Sequence, residues 1–311
     1  MGQLLAMGDG IPILPDLPAL PVYFVHHTYP SQRYLPLYEA KMLHQFDHRW
    51  ATYDGTDSRD MTIGEKADPA CVALPRYWVA AEDVHARLTS RWERWWLLGW
   101  RRITNTTNER TVIYSFLPLT AAGDSVFLEL PKGDTRGVAC HVANLDSLIF
   151  DYLARQKLGG MNLNFFTVRQ LPALLPATFE AAAPWARRCA LNGWIAPRVL
   201  ELAFTAWDIL PLARDLGYSG PPFSWDPERR FLLRCELDAA FFHLYDIERD
   251  DVDYIMNGFW NVRKRDEKQY GEYRTKRVIL EIYDAMSQAI RTGIPYSGPT
   301  PQHLAVVGGG E

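Results

Sequence analysis

Residues 110–130 read RTVIYSFLPLTAAGDSVFLEL, and the periodicity of this stretch sets the fold class. Two runs rich in β-branched and aromatic residues, 110–119 and 125–130, flank Thr120-Ala-Ala-Gly-Asp124, whose glycine suits a tight reversal. The pattern predicts two strands of a hairpin. On the N-terminal side the period becomes helical: Val84, Leu88, Trp92 and Trp95 recur at helix spacing behind Glu82 and Asp83, so a helix is predicted from Ala81 to about Trp92. The tryptophans Trp92, Trp95, Trp96 and Trp100 read as core. On the C-terminal side, Leu145, Leu148, Ile149, Tyr152 and Leu153 form one apolar stripe, opened by Asn144 and stopped by Gly159-Gly160. LNFFTVRQL, residues 163–171, then reads as a strand.

Beyond Pro172 the helical period dominates. Helices are predicted over Ala181–Leu191 and Pro197–Ala206, from Asp226 with Pro227 at the first helical position, and over Tyr273–Ile290. The fold class is therefore α+β: a mixed α/β domain over residues 33–175, then a mainly helical region over 176–291. Prolines spread through residues 11–36 argue against a helix or a central strand there, so 1–32 reads as an extended lead-in. The Pro/Gly-rich residues 292–311 read as a tail, and the polar stretch 52–70 as a loop.

At 311 residues and 48% apolar composition the chain can bury a full core. Its net charge of −4 argues against wholesale coating of nucleic acid but leaves room for a local basic face. Cys71, Cys140, Cys189 and Cys235 form no C-x-x-C pair, which suggests neither a zinc site nor a disulfide framework. No apolar run has membrane-spanning length, and the first 30 residues lack the basic start of a secretory signal. A cytoplasmic protein without membrane contact is expected.

Four segments carry a resemblance: RYLPLYEAKMLHQFDHRWATYDG (33–55), TVIYSFLPLTAAGDSVFLEL (111–130), ANLDSLIFDYLARQKLGGMNLNFFTVRQLPALLP (143–176), and FSWDPERRFLLRCELDAAFFHLYDIERDDVDYIMNGFWNVRKRDEKQYGEYRTKRVILEIYDAM (223–286). Together they resemble the C-terminal target-recognition region of fused, Type IIG-like restriction-modification adenine-specific DNA methyltransferases, including the BREX and DISARM phage-defence methylases. The resemblance implies a DNA-binding, target-recognition role on double-stranded DNA. Those methylases carry an N-P-P-Y type motif that grips a flipped adenine. This chain has no Asn-Pro dipeptide, and its one dense glycine run, 308–310, is followed by no helix. The cofactor S-adenosylmethionine and the methyl transfer are thus expected on a separate methylase subunit or a missing catalytic domain, with no cofactor and no catalytic residue in this chain.

A recognition surface clamps phosphates with Lys and Arg and reads base edges with Arg, Lys, Asn or Gln. The candidates are Lys41 and Arg49 in the first matched segment; Arg101, Arg102, Asn105 and Arg110 in the polar segment WRRITNTTNER; Arg155 and Lys157 at a predicted helix end, with Asn162 and Asn164 beyond the glycines; and Lys264 and Arg265 in the densest basic run. Each has a plainer reading, as a solvated loop or face, or as cations complementing a helix dipole.

Other chemistries fit smaller patterns. Glu39 and Lys41, with Asp16, mimic the acidic and lysine pieces of a metal-dependent nuclease. His44 and His48 would share a helix face, though Gln45 stands where a metalloprotease needs Glu. Asp250, Asp251 and Asp253 read as helix-capping residues rather than calcium ligands. A structural role or an inactive remnant is the third possibility, with Phe241, Phe242, Leu244 and Tyr245 docking onto another subunit.

Overall fold

The protein is described by a computed structural model over residues 4–6, 22–26 and 29–298. Most of the lead-in and the tail from residue 299 lie outside the described residues. The fold is α+β, with 47% helix and 17% strand. Two compact units are each assembled from three chain segments: residues 1–102, 114–135 and 202–225 in the first, and 103–113, 136–201 and 226–311 in the second. The units interleave in sequence, so neither coincides with the span 33–175 or 176–291.

The first unit holds the strands. One sheet runs in the order Leu4–Ala6, Val22–His26, Tyr29–Tyr38, Trp78–Ala80, and Ala121–Ala122 pairs in parallel with the end of Tyr29–Tyr38. Tyr29–Tyr38 is therefore a central strand despite its prolines, contrary to expectation. Proline removes a donor only at its own position. The ladder resumes at once, since Leu37 N donates to Tyr77 O at 2.9 Å, and the Pro36 carbonyl accepts from the Thr120 hydroxyl.

The second sheet has the order Val126–Glu129, Trp96–Arg101, Tyr114–Pro118, all antiparallel. Both predicted strands exist, but they do not pair with each other, because Trp96–Arg101 lies between them. The helix from Ala81 stops at Leu88, and Ser90 adopts a left-handed φ of 62°, which ends the helical period before the tryptophans. The strand WLLGWR, Trp96–Arg101, is apolar on both faces, the pattern of a central strand buried on both sides. Trp96 and Trp100 are buried, as expected of core residues, whereas Trp95 is exposed. Gly99 is required by close approach: a Cβ there would meet Val126 Cγ1 at 3.0 Å and Leu117 Cδ1 at 3.1 Å. Trp100 stacks on Tyr114 at 5.2 Å, and Trp96 meets Phe116 edge-on at 5.3 Å. The polar stretch 52–70 is not a plain loop. Ala51–Asp54 and Asp57–Asp60 form a hairpin turning at Gly55 (φ 63°), and Thr62 with Glu65 builds a capping box on the helix Ile63–Ala67.

The second unit is built on the helix Pro227–Leu244, started by Pro227 and capped by the Asp226 carboxylate, which accepts from the Glu228 and Arg229 amides. Its buried residues include Leu233, Leu237, Ala239, Ala240, Phe241 and Phe242. Phe241 and Phe242 are interior, so they offer no docking face to another subunit. The amphipathic helix Arg274–Thr292 packs against it, and His243 stacks on Tyr283 at 3.9 Å. Ser147, rather than Asn144, caps the helix Leu148–Lys157; Asn144 instead donates to Tyr245 Oη at 2.8 Å and accepts from the Leu174 amide at 2.9 Å.

Two predicted elements have the other type. Residues 182–190, expected to be helical, form the antiparallel pair Ala182–Ala183 and Ala186–Ala190. Pro184 sits in the reversal between them, where its fixed φ and missing donor cost nothing, and the neighbouring Trp185 is buried. Residues 163–171, expected as a strand, contain the single helical turn Phe165–Val168, because the Asn164 side chain accepts from the Thr167 amide and caps it. A helix over Leu191–Ala203 covers much of the predicted 197–206 helix.

Candidate nucleic-acid interface

In the first unit two of the four predicted DNA contacts, Arg49 and Arg101, serve the interior. Arg49 is 0% exposed. Its Nη1 donates to Asp68 O (2.9 Å) and Cys71 O (2.7 Å), and its Nη2 to Lys66 O (2.9 Å), Thr205 O (2.9 Å) and Thr205 Oγ1 (3.2 Å). A guanidinium so enclosed, with both Nη groups on protein acceptors, cannot reach a phosphate, which corrects that assignment. Around it, Lys66 Nζ pairs with Asp47 Oδ2 at 2.6 Å between the Trp50 and Trp225 rings, and His48 Nε2 meets Asp208 Oδ1 at 2.8 Å. Burial pushes the Asp208 carboxyl up, but the His48 pair and Arg49 outweigh it and hold it below the ordinary carboxylate range. Residues 44–48 are a turn, with Phe46 at φ 56°, so His44 and His48 share no helix face.

Arg101 is likewise committed: its Nε donates to the Leu43 carbonyl at 2.8 Å, and burial draws its pKa down to about 10. Arg102 pairs with Asp124 at 2.8 Å. Lys41 is exposed and reaches Ser58 Oγ at 3.4 Å, while neighbouring Glu39 pairs with Arg76 at 2.9 Å. The two residues of the nuclease pattern thus have separate partners, and Asp16 lies outside the described residues. Among the described residues no group of three or more His, Cys, Asp or Glu side chains is placed to hold a metal ion, and no helix is long and apolar enough to cross a membrane.

The second unit holds the other eight candidates, and five of them, Asn105, Arg110, Arg155, Asn162 and Arg265, lie in or against residues 103–111. Asp151 Oδ2 accepts from the Thr111 and Val112 amides at 2.7 and 3.2 Å, and Thr104 Oγ1 donates to Thr111 O at 2.6 Å, which closes the base of a turn. Ile103 bridges to Asn162, and Thr104 N donates to Met161 O at 3.0 Å. Arg155 holds the far side: its Nε pairs with Asp151 at 2.8 Å and its Nη2 donates to Asn108 O at 2.8 Å. Arg110 pairs with Asp238 at 3.0 Å, and Arg265 with Glu109 and Asp266. Arg110 and Arg155, both largely buried, are therefore positioning residues of the turn rather than direct phosphate contacts, whereas Arg265 is half-exposed and paired with Glu109 and Asp266.

The surface of the turn is different in kind. Lys157 and Lys264 are exposed and have no carboxylate partner among the described residues, nor does the exposed Arg169, which sequence reading missed. Asn105 Oδ1 accepts from Thr107 N at 3.0 Å and Asn164 Oδ1 from Thr167 N at 3.0 Å, which leaves their Nδ2 groups, and the exposed Asn162 side chain, without an acceptor among the described residues. Residues 152–179 contain no Asp or Glu, and neither do 101–108, in a chain holding 37 acids. That gap was the sequence signal that could have found Arg169. Large apolar side chains share the surface: Met161 is 61% exposed, Phe166 75% and Trp260 52%, and Asn261 donates to Thr107 O to keep Trp260 beside the turn.

No protein family, curated protein or solved structure matches the chain when it is compared with them.

Proposed function

We propose that the chain binds double-stranded DNA through the 103–108 turn and the 155–169 face of the second unit. It would serve as the target-recognition part of an adenine-specific DNA methylation system whose S-adenosylmethionine chemistry resides on another polypeptide. The observation that carries the DNA reading is charge: Lys157 and Arg169 project from a segment, 152–179, that lacks carboxylates, and Lys264 is exposed without a carboxylate partner among the described residues, although the whole chain is net negative at −4. Unpaired cations favour phosphate, and the amides of Asn105, Asn162 and Asn164 beside them suit base edges in a groove. The assignment to a methylation system rests on the four-segment resemblance.

The test is capture of duplex DNA from a randomised pool on the immobilised full chain, followed by titration of the recovered duplex at increasing salt. Binding that weakens with salt, and that a K157E/R169E variant loses, is expected. Failure to enrich any duplex sinks the reading.

A further inference from the structure

We infer that Phe166, flanked by Met161 and Phe165, is a wedge that inserts into the base stack of bound duplex DNA and kinks it. The inference rests on the DNA reading above and goes beyond it by assigning the exposed aromatic ledge a mechanical role. Phe166 is 75% exposed, Met161 61% and Ile103 49%; the Ile103–Asn162 bridge sets Ile103 beside Met161, and Phe166 follows Asn162 by four residues in the next helical turn. Such a grouping costs solvation unless something apolar meets it.

Its mounting is stiff. Leu163 and Leu171 are buried on either side of the helical turn and anchor it in the core. Within the turn, Val168 N donates to Asn164 O at 3.0 Å and Arg169 N to Phe165 O at 3.1 Å, while Gln170 Nε2 braces Phe166 O at 3.3 Å. A side chain that pries adjacent base pairs apart must be held against recoil, and this one projects from a capped turn rather than from a free loop.

The rim selects the occupant. Lys157 and Arg169 bracket the ledge in sequence, Asn162 and Asn164 lie on it, and no carboxylate occurs from 152 to 179. A protein partner would ordinarily find both signs of charge at such a rim. An apolar tip among unpaired cations and amides fits a polyanion with an apolar interior, which is the make-up of duplex DNA, and apolar wedges between base steps are an established way to kink it.

The experiment uses the full chain and the duplex recovered from the randomised pool, carrying 2-aminopurine at successive adenine positions and a donor and acceptor dye at its ends. Binding should raise 2-aminopurine fluorescence at one step and shorten the end-to-end distance. F166A should lose both signals and bind about tenfold more weakly, in line with the worth of one aromatic-base contact, with an unchanged salt slope. F166W should retain both signals. Salt-dependent binding with no unstacking and no bend would overturn the wedge and leave the DNA reading standing, whereas no binding to any duplex would overturn both. If F166A instead converts a self-associated protein to a monomer in sedimentation while leaving the DNA signals intact, the ledge is an interface between copies and the wedge is overturned.

Discussion

Arg49 and Thr205, 156 residues apart in the sequence, are joined by two hydrogen bonds, with Arg49 Nη2 at 2.9 Å from the Thr205 carbonyl and 3.2 Å from its hydroxyl. The same guanidinium holds the carbonyls of Lys66, Asp68 and Cys71, so one side chain fastens three chain segments of the first unit. The stretch 33–55 therefore places its central cation in the interior.

Truncating Arg49 should destabilise the first unit. Arg49→Ala leaves several buried carbonyls without donors, and a loss of about 3–5 kcal/mol is expected, as for breaking other buried charged contacts. Arg49→Lys should rescue little, because an ammonium cannot span the fork that serves five acceptors. Urea unfolding measures the loss. A stable R49A protein with impaired DNA binding would restore the phosphate-contact reading instead.

Acid should weaken the first unit through Asp208. Its folded-state carboxyl lies below the ordinary value of 3.8, so its contribution is complete above about pH 4 and disappears as pH falls through the folded-state value. Asp208→Asn should be less stable at neutral pH and show a shallower further loss between pH 4 and lower values. Superimposable acid-unfolding profiles of the two proteins would show that the His48–Asp208 pair is energetically silent.

Releasing the base of the turn should impair binding without touching its surface. Asp151 accepts two turn amides and the Arg155 guanidinium, all of them lost in Asp151→Ala. Amide hydrogen exchange over residues 103–113 should accelerate, and duplex affinity should drop even though Lys157 and Arg169 remain. Unchanged exchange across that segment would remove Asp151 from its positioning role.

Salt dependence counts the phosphate contacts. Three cations, Lys157, Arg169 and Lys264, predict a slope of about −2.7 in log K against log salt, and an affinity loss of about 40-fold between 50 and 200 mM. Each Lys→Ala or Arg→Ala change should lower the slope by about 0.9. Arg110→Ala and Arg155→Ala should instead lower stability. Asn105→Ala, Asn162→Ala or Asn164→Ala should relax the choice of base with a cost of about 1–3 kcal/mol at one position, seen as a changed consensus in the recovered pool.

Local rules sufficed where one short stretch contains its own reason. Asp226-Pro227 starts a helix by capping geometry and the stripe of 148–157 ends at its glycines, so the α+β class was legible in composition and period. Where several partners compete, local rules failed. Trp96–Arg101 is a strand because it is apolar on both faces and inserts between two others, a pairing that its helical spacing cannot express.

Ion pairing divides the candidate cations in the same way. From sequence alone Arg49, Arg155 and Lys157 are equivalent positive charges; Arg49 is consumed by carbonyls brought from distant segments, Arg155 by a distant carbonyl and by Asp151 one helical turn away, and Lys157 is left exposed. Sequence determined where the cations stand along the chain and where acids are missing. Only the tertiary structure decided which cations remain unpaired, because a charge is neutralised by whatever lies within a few ångströms of it in space, however far along the chain that group is.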